Sequence, residues 1–359
     1  MENDIILSVK NLSVGFLSHG KKMNVIRDIS LDIHRGETLA IVGESGSGKS
    51  VFTKTFTGML ESNGFISNGS IMFDGIDLTT LKTTKQWHGI RGKRIATIFQ
   101  DPMTSLNPLL SIGYQIEEVL MLHHNLSRKE ARKEAINLLR KVRIPEPEKR
   151  MKDYPFQYSG GMRQRVVIAI ALACRPEILI CDEPTTALDV TVQAQILELI
   201  RELQSEYHWT TIFITHDLGV VANVADRIAV MYGGQIVEYG TAEDIFYTPA
   251  HPYTWALLSS LPQLGEKDEP LVYIKGNPPS FSSEIIGDSF AIRNEYAMKI
   301  DYVAEPPMFK ISDTHFAKTW LLDPRAPKVE KPKIIQNLKE RMNKAAVELQ
   351  REVGDDDGK

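Results

Sequence analysis

Cysteine is nearly missing from this chain: Cys174 and Cys181 are the only two in 359 residues, and both lie inside apolar segments. So sparse a pair excludes a disulfide framework and reads as reduced core side chains of a cytosolic protein. Long apolar runs are missing too. The longest, Val166 to Cys174, falls far short of the ~20 residues a membrane span needs, so the chain is not expected to cross a membrane by itself. The N-terminus, MENDIILSVK, carries acidic residues where a signal peptide is basic. There is no cationic surplus: 42 basic against 46 acidic side chains leave a net charge of -4. That argues against a dedicated nucleic-acid binder, whose affinity rests on neutralising phosphates. No internal repeat is visible.

What is present is a pattern of buried strands alternating with helices. Residues 5–16 read as strand, and Gly36 opens a turn into GETLAIVG, a buried strand feeding a glycine-rich loop. A helix is expected from Lys49 to about Met59, and further strands at RIATIFQ (94–100), ILICDE (178–183) and TTIFITHD (210–217). Together these predict an α/β fold with a mostly parallel sheet covered by helices. Between about 101 and 175 the texture turns helical. Ser127 and Glu130 form a capping-box signature ahead of ARKEAINLLRKV. RIAVMYGGQIVEYG (227–240) reads as a hairpin turning at Gly233-Gly234. After about residue 250 prolines accumulate and periodicity fades, as in a small, loop-rich appended domain reaching about 330. From Lys331 to Glu352 an amphipathic helix is expected, packed on its own domain, before the acidic tail GDDDGK.

Gly43-Glu44-Ser45-Gly46-Ser47-Gly48-Lys49-Ser50 fits the phosphate-loop pattern G-x-x-x-x-G-K-[ST] between a strand and a helix. Its glycines let backbone N–H groups turn inward around phosphate oxygens, and the helix N-terminus adds positive potential. Lys49 is expected to reach the β- and γ-phosphates of ATP, and the Ser50 hydroxyl to ligate Mg²⁺. ILICDE delivers Asp182 and Glu183 at the carboxyl end of a buried strand. Asp182 suits the surroundings of the Mg²⁺, and Glu183 suits the base that orients and deprotonates the attacking water. Two carboxylates after a strand are by themselves more often a solvated helix start; the phosphate loop reverses that judgement.

Tyr158-Ser159-Gly160-Gly161-Met162 precedes a helix and stands shortly before ILICDE. It resembles the ABC signature usually written LSGGQ, with Tyr and Met at the outer positions. The resemblance to ABC ATPases covers roughly residues 5–245 and implies further roles. Gln100 resembles the glutamine that ligates Mg²⁺ and water, Ala187-Leu188-Asp189 the D-loop, and His216 the switch histidine that contacts the γ-phosphate. Phe16 occupies the place of the aromatic that stacks on adenine; an ordinary core phenylalanine is nearly as common there. The resemblance also implies that Ser159, Gly160 and Gly161 complete the ATP site of a partner chain.

Three segments resemble one branch of that family, the oligopeptide and dipeptide permease ATPases: QDPMTSLNP (100–108), SGGMRQRVVIAIALACRPEILICDEPTTALDVTVQAQIL, and PAHPYT (249–254) with GNPPS (276–280). Met162 resembles the D-type rather than the F-type subunit, and LLDPRAP resembles subunits of Gram-positive cocci. The implied assembly has a second, F-type ATPase, two transmembrane permease subunits and an extracellular substrate-binding lipoprotein. This chain would lie on the cytoplasmic face of the membrane. Nickel importers share much of the pattern. Several relatives carry a cysteine cluster in the extension. Here no cysteine follows Cys181, and a [4Fe–4S] site takes four thiolates, so no iron–sulfur cluster is expected. Soluble ABC ATPases acting on DNA or ribosomes are disfavoured by the single module and the lack of a heptad insertion. A weakly catalytic regulatory subunit is disfavoured by Glu183 and His216.

Overall fold

The computed structural model describes residues 4–18, 20–186, 188–222, 224–261, 274–283, 285–336 and 338. Among them two sheets form. Strands β1 (Ile5–Ser18), β2 (Lys21–His34), β4 (Gly64–Phe73) and β5 (Ile76–Asp77) make an antiparallel sheet ordered β2-β1-β4-β5. The larger sheet is built on β3 (Thr38–Val42), with β6 (Ile95–Ile98), β7 (Ile178–Asp182), β8 (Thr210–Thr215), β9 (Arg227–Tyr232), β10 (Gln235–Thr241), β11 (Phe309–Lys310) and β12 (Phe316–Ala317). Its order is β11-β12-β10-β9-β3-β8-β7-β6. The run from β9 through β3, β8 and β7 to β6 is parallel, as the alternating strands and helices predict.

All five residues of β3 are buried. Leu39 and Ile41 face the core shared with the antiparallel sheet, while Ala40 and Val42 face the core shared with the helices. Burial on both faces explains the unbroken apolar run LAIV after Thr38. The carboxyl ends of β3, β7 and β8 point the same way, and that is the edge where α/β sheets bind ligands.

The segment between β6 and β7 is helical, with helices Ile112–His124, Arg128–Lys141 and Gly160–Ala173. The Ser127–Glu130 capping box is present in both directions: the Ser127 hydroxyl accepts from the Glu130 N–H (3.4 Å), and the Glu130 carboxylate accepts from the Ser127 N–H (2.9 Å). Gly233 and Gly234 turn the β9–β10 hairpin with φ of 54° and 80°. Two consecutive positive φ values are what a tight hairpin turn demands.

Three local expectations shift. The helix after the phosphate loop ends at Lys54, not Met59, and tightens into a 3₁₀ turn over Thr55–Thr57. The Thr55 and Thr57 hydroxyls donate to the Phe52 and Lys54 carbonyls (2.5 and 3.3 Å), competing with the regular helical pattern. The strand expected to run to Gln100 stops pairing at Ile98, opposite Cys181. The appended domain shares the larger sheet and its core: β12 pairs with β10, and Tyr253, Trp255, Leu258 and Phe290 belong to the same apolar cluster as the helices between β6 and β7. A buried carboxylate pins this junction. Glu238 accepts from His315 Nε2 (2.7 Å) and from the N–H groups of Ala250 (2.7 Å) and His251 (3.0 Å). Of the expected C-terminal helix, Lys333–Gln336 is described, with Ile335 and Leu338 buried in the main core. Its remainder, the acidic tail and Ala187 of the D-loop lie outside the described residues.

Candidate functional site

A cavity of about 980 Å³ opens at the carboxyl ends of the parallel strands, within the size range of small-molecule sites. Glu44, Ser45, Gly46, Gly48, Lys49 and Ser50 line it on one side, with Gln100, Glu183 and His216 on the other. Residues predicted from segments far apart in the chain therefore meet in one place.

The loop is held by close backbone packing. A β-carbon at Gly43 would come within 2.1 Å of the Met231 carbonyl oxygen, so no side chain fits where β3 hands the chain to the loop. The Gly234 N–H donates to the Ser47 carbonyl at 3.0 Å, which ties the loop to the β9–β10 hairpin. Lys49 Nζ donates to the loop carbonyls of Gly43 (2.7 Å) and Glu44 (3.0 Å). Burial holds the Lys49 ammonium below its ordinary pKa, while the nearby Glu183, Asp182 and Glu44 carboxylates pull it back up. A partly desolvated cation in a glycine loop is a strong attractor for phosphate oxygens.

Ser50 Oγ donates to Asp182 Oδ1 at 3.0 Å. Burial raises the Asp182 pKa; the Ser50 hydrogen bond opposes this and Glu183 adds to it. The two side chains offer hard oxygen donors to one point, the donor chemistry that suits Mg²⁺. Glu183 sits in the left-handed region (φ 48°), a backbone strain of order 1–3 kcal/mol that marks functional positions. Its N–H donates to the Ile214 carbonyl on β8 (3.0 Å), which aims the carboxylate off the end of β7. That carboxylate gathers three partners: Gln100 Nε2 at 2.9 Å, Thr186 Oγ1 at 3.0 Å and His216 Nδ1 at 3.4 Å.

Some predicted residues stand elsewhere. Phe16 does not line the cavity. It pairs with Gly64 on β4, and a β-carbon there would come within 2.9 Å of its ring, so the phenylalanine fills the space the glycine leaves. The apolar part of the lining comes from Val25, Val51, Leu257 and Ile274. The signature residues also lie outside the cavity. Ser159 caps the helix Gly160–Ala173, accepting from the Met162 N–H at 3.3 Å, and is exposed. Gly160 and Gly161 open that helix against Leu188 and Val192. Asp189 is likewise an exposed N-cap, accepting from the Val192 N–H at 3.0 Å.

Sequence reasoning missed Val25, Thr186, Leu257, Ser260 and Ile274 as cavity residues. It also missed two residues that grip Glu44: Arg293, which forms an ion pair with its carboxylate, and Tyr253, whose hydroxyl accepts from its N–H. Tyr253 had a signal, the PAHPYT segment, read only as a family mark; Arg293 had none.

A sequence model of the ABC transporter family matches residues 26–186, and one of the oligopeptide/dipeptide transporter C-terminal region matches 237–300. The chain is 60% identical over 341 residues to the oligopeptide transport ATP-binding protein AmiE of Streptococcus pneumoniae, covering 95% of this chain and 96% of that one. The chain belongs to the ABC transporter ATPases, in their oligopeptide/dipeptide branch. It is also 55% identical to the oligopeptide transport ATP-binding protein OppD of Bacillus subtilis, over 92% of this chain and 93% of that one. Among solved structures, the dimeric ATP-binding cassette MJ0796, in a post-hydrolysis state with ADP and Pi, superposes with a TM-score of 0.59. It is 29% identical and covers 66% of this chain and 98% of its own. The cbiO1 subunit of Clostridium perfringens gives 0.58 at 30% identity, covering 68% of this chain and 92% of its own. The ABC ATPase is thus an ATP-hydrolysing enzyme of the α/β phosphate-loop class. Among the described residues no helix is long and apolar enough to cross a membrane.

Proposed function

We propose that this ATPase energises import of oligopeptides, as the D-type subunit of a membrane-bound permease. The observation that carries the proposal is the convergence of Lys49, Gln100, Glu183 and His216 on one cavity, within a chain 60% identical to an oligopeptide transport ATP-binding protein.

In this reading the phosphate loop, Gly43 to Ser50, wraps the triphosphate, and Lys49 holds the β- and γ-phosphate oxygens. Ser50, Asp182 and Gln100 would hold Mg²⁺, which would supply positive charge against the phosphate oxygens. Glu183 orients the attacking water and takes its proton. Gln100, Thr186 and His216, each within 3.4 Å of the Glu183 carboxylate, set its direction, and His216 reaches the γ-phosphate. Phe16 stacks on adenine only if its ring swings off Gly64.

The exposed Ser159, with the half-buried Gly160 and Gly161, completes the site of an F-type partner, and Asp189 sits at the same interface. Support comes from their position outside this chain's own cavity and from likeness to a cassette solved as a dimer. Two permease subunits take up the resulting motion on the cytoplasmic face of the membrane, and an external lipoprotein supplies peptide. Nucleic acid has no part.

The test is affinity purification from native membranes, joined to uptake assays. The expected result is co-purification of a second ATPase and two integral membrane proteins, with loss of labelled tetrapeptide uptake in the Lys49→Ala strain. Lost nickel uptake with intact peptide uptake would overturn the substrate and leave the ATPase assignment standing.

A further inference from the structure

Glu44 places a carboxylate inside the phosphate loop, among the residues lining the nucleotide cavity. An unneutralised carboxylate there repels a triphosphate. The neutralising group arrives from 249 residues along the chain. Arg293 sends a fork to Glu44, with Nη1 to Oε2 at 2.5 Å and Nη2 to Oε1 at 3.0 Å. This two-bond geometry is the strong form of an arginine–carboxylate pair.

The guanidinium is built in, not laid on. Its side chain is only 5% exposed. Nε donates to the Lys275 carbonyl (2.9 Å), Nη2 to the Ile274 carbonyl (3.2 Å) and Nη1 to the Tyr232 hydroxyl (3.2 Å). A second contact reaches the same loop residue: the Glu44 N–H donates to the Tyr253 hydroxyl at 2.8 Å. Tyr253 is fully buried, in a ring cluster with Tyr232 and Phe290 whose centroids lie 4.5–5.3 Å apart. Leu257, Ser260 and Ile274 of the same C-terminal region line the cavity itself.

We propose that Arg293 and Tyr253 are positioning residues of the nucleotide site, holding and neutralising Glu44 so that the phosphate loop accepts a triphosphate. The inference rests on the phosphate-loop reading above and adds the C-terminal region to the ATP site. Because linkage is reciprocal, bound nucleotide then tightens the region that holds the loop.

ATP affinity of the full chain, measured by calorimetry, tests this. Arg293→Met leaves the carboxylate unpaired beside the phosphates and weakens binding roughly 10- to 100-fold. Adding Glu44→Gln to Arg293→Met removes the repelling charge and restores affinity to within a few-fold of wild type. A merely structural arginine is not rescued by deleting a charge elsewhere. Arg293→Lys, a point charge without the fork, falls between the two. Tyr253→Phe deletes one oxygen at constant shape and weakens binding roughly 5-fold.

A folded Arg293→Met protein binding ATP within twofold of wild type overturns the proposal, as does a double variant no better than the single one. Should Arg293→Met not fold, Tyr253→Phe decides alone: affinity within twofold of wild type overturns it. Lys49→Ala separates the two levels. Normal ATP binding by Lys49→Ala sinks the loop assignment itself. Lost binding there, with normal binding in Arg293→Met and Tyr253→Phe, sinks only this inference.

Discussion

Gly160→Asp separates a signature that acts on a partner's nucleotide from one that serves this chain's own fold. At Gly160 a β-carbon would meet nothing closer than Leu188 Cδ2 at 3.6 Å, an ordinary contact. At Gly161 it would meet Val192 Cγ1 at 2.7 Å. Asp at 160 therefore fits the monomer, whereas any side chain at 161 forces the Val192 side chain to shift. An acidic residue in the first helical turn even suits the helix dipole. The cost falls on the interface. A carboxylate about 4 Å from one phosphate charge, at an effective dielectric near 20, is repelled by ~4 kcal/mol. That corresponds to roughly a thousandfold loss in ATP-driven closure. The isolated chain should bind ATP with wild-type affinity by calorimetry. The purified complex in liposomes should lose ATP-dependent peptide uptake, and peptide-dependent cells should stop growing. Retained uptake with the variant incorporated refutes action on the partner. Lost ATP binding by the isolated chain refutes the claim that residue 160 has room.

Three further outcomes are expected. Glu183→Gln keeps ATP binding but lowers steady-state hydrolysis ~10²- to 10⁴-fold and traps the closed dimer; near-normal turnover in the complex removes Glu183 from the base role. Lys49→Ala weakens ATP binding itself, and an unchanged calorimetric affinity would mean the loop does not cradle phosphate. Burial pushes Asp288 up from 3.8 to about 6, the hydrogen bond from the Phe290 N–H and the charge of Lys318 opposing and Asp301 and Glu305 adding to the rise. Its folded pKa lies above the unfolded one, so the native state binds the proton more tightly and ionisation destabilises the fold as pH rises from about 4 to 6. Asp288→Asn should therefore stabilise by roughly 3 kcal/mol at pH 8 and by about half that at pH 5. Denaturant melts giving equal gains at both pH values would show that Asp288 is not desolvated.

Most of the polar residues that line the cavity were legible in the chain because their pattern is local. A phosphate loop needs glycines, a lysine and a hydroxyl within eight consecutive residues, and a buried strand that ends in two carboxylates announces its purpose in six. The mostly parallel character of the sheet followed from the alternation of buried runs and helices, whereas its strand order came only from the folded chain. The hairpin glycines were readable for the same reason: their positive φ shows as a residue type. Side-chain contacts between distant segments have no such local mark. That Glu183 gathers Gln100, Thr186 and His216 could only come from strands brought side by side. Phe16 sits on the expected strand, yet its ring direction was decided by Gly64 on the neighbouring strand. The proline-rich extension read as a small appended domain because periodicity fades there; only the folded chain shows its β12 paired with β10 and its His315 on the buried Glu238. Arg293 is one arginine in a loop-rich stretch, and only the folded chain puts it on Glu44. Local backbone chemistry leaves a pattern in a sequence; a contact between residues hundreds of positions apart leaves one only in the tertiary structure.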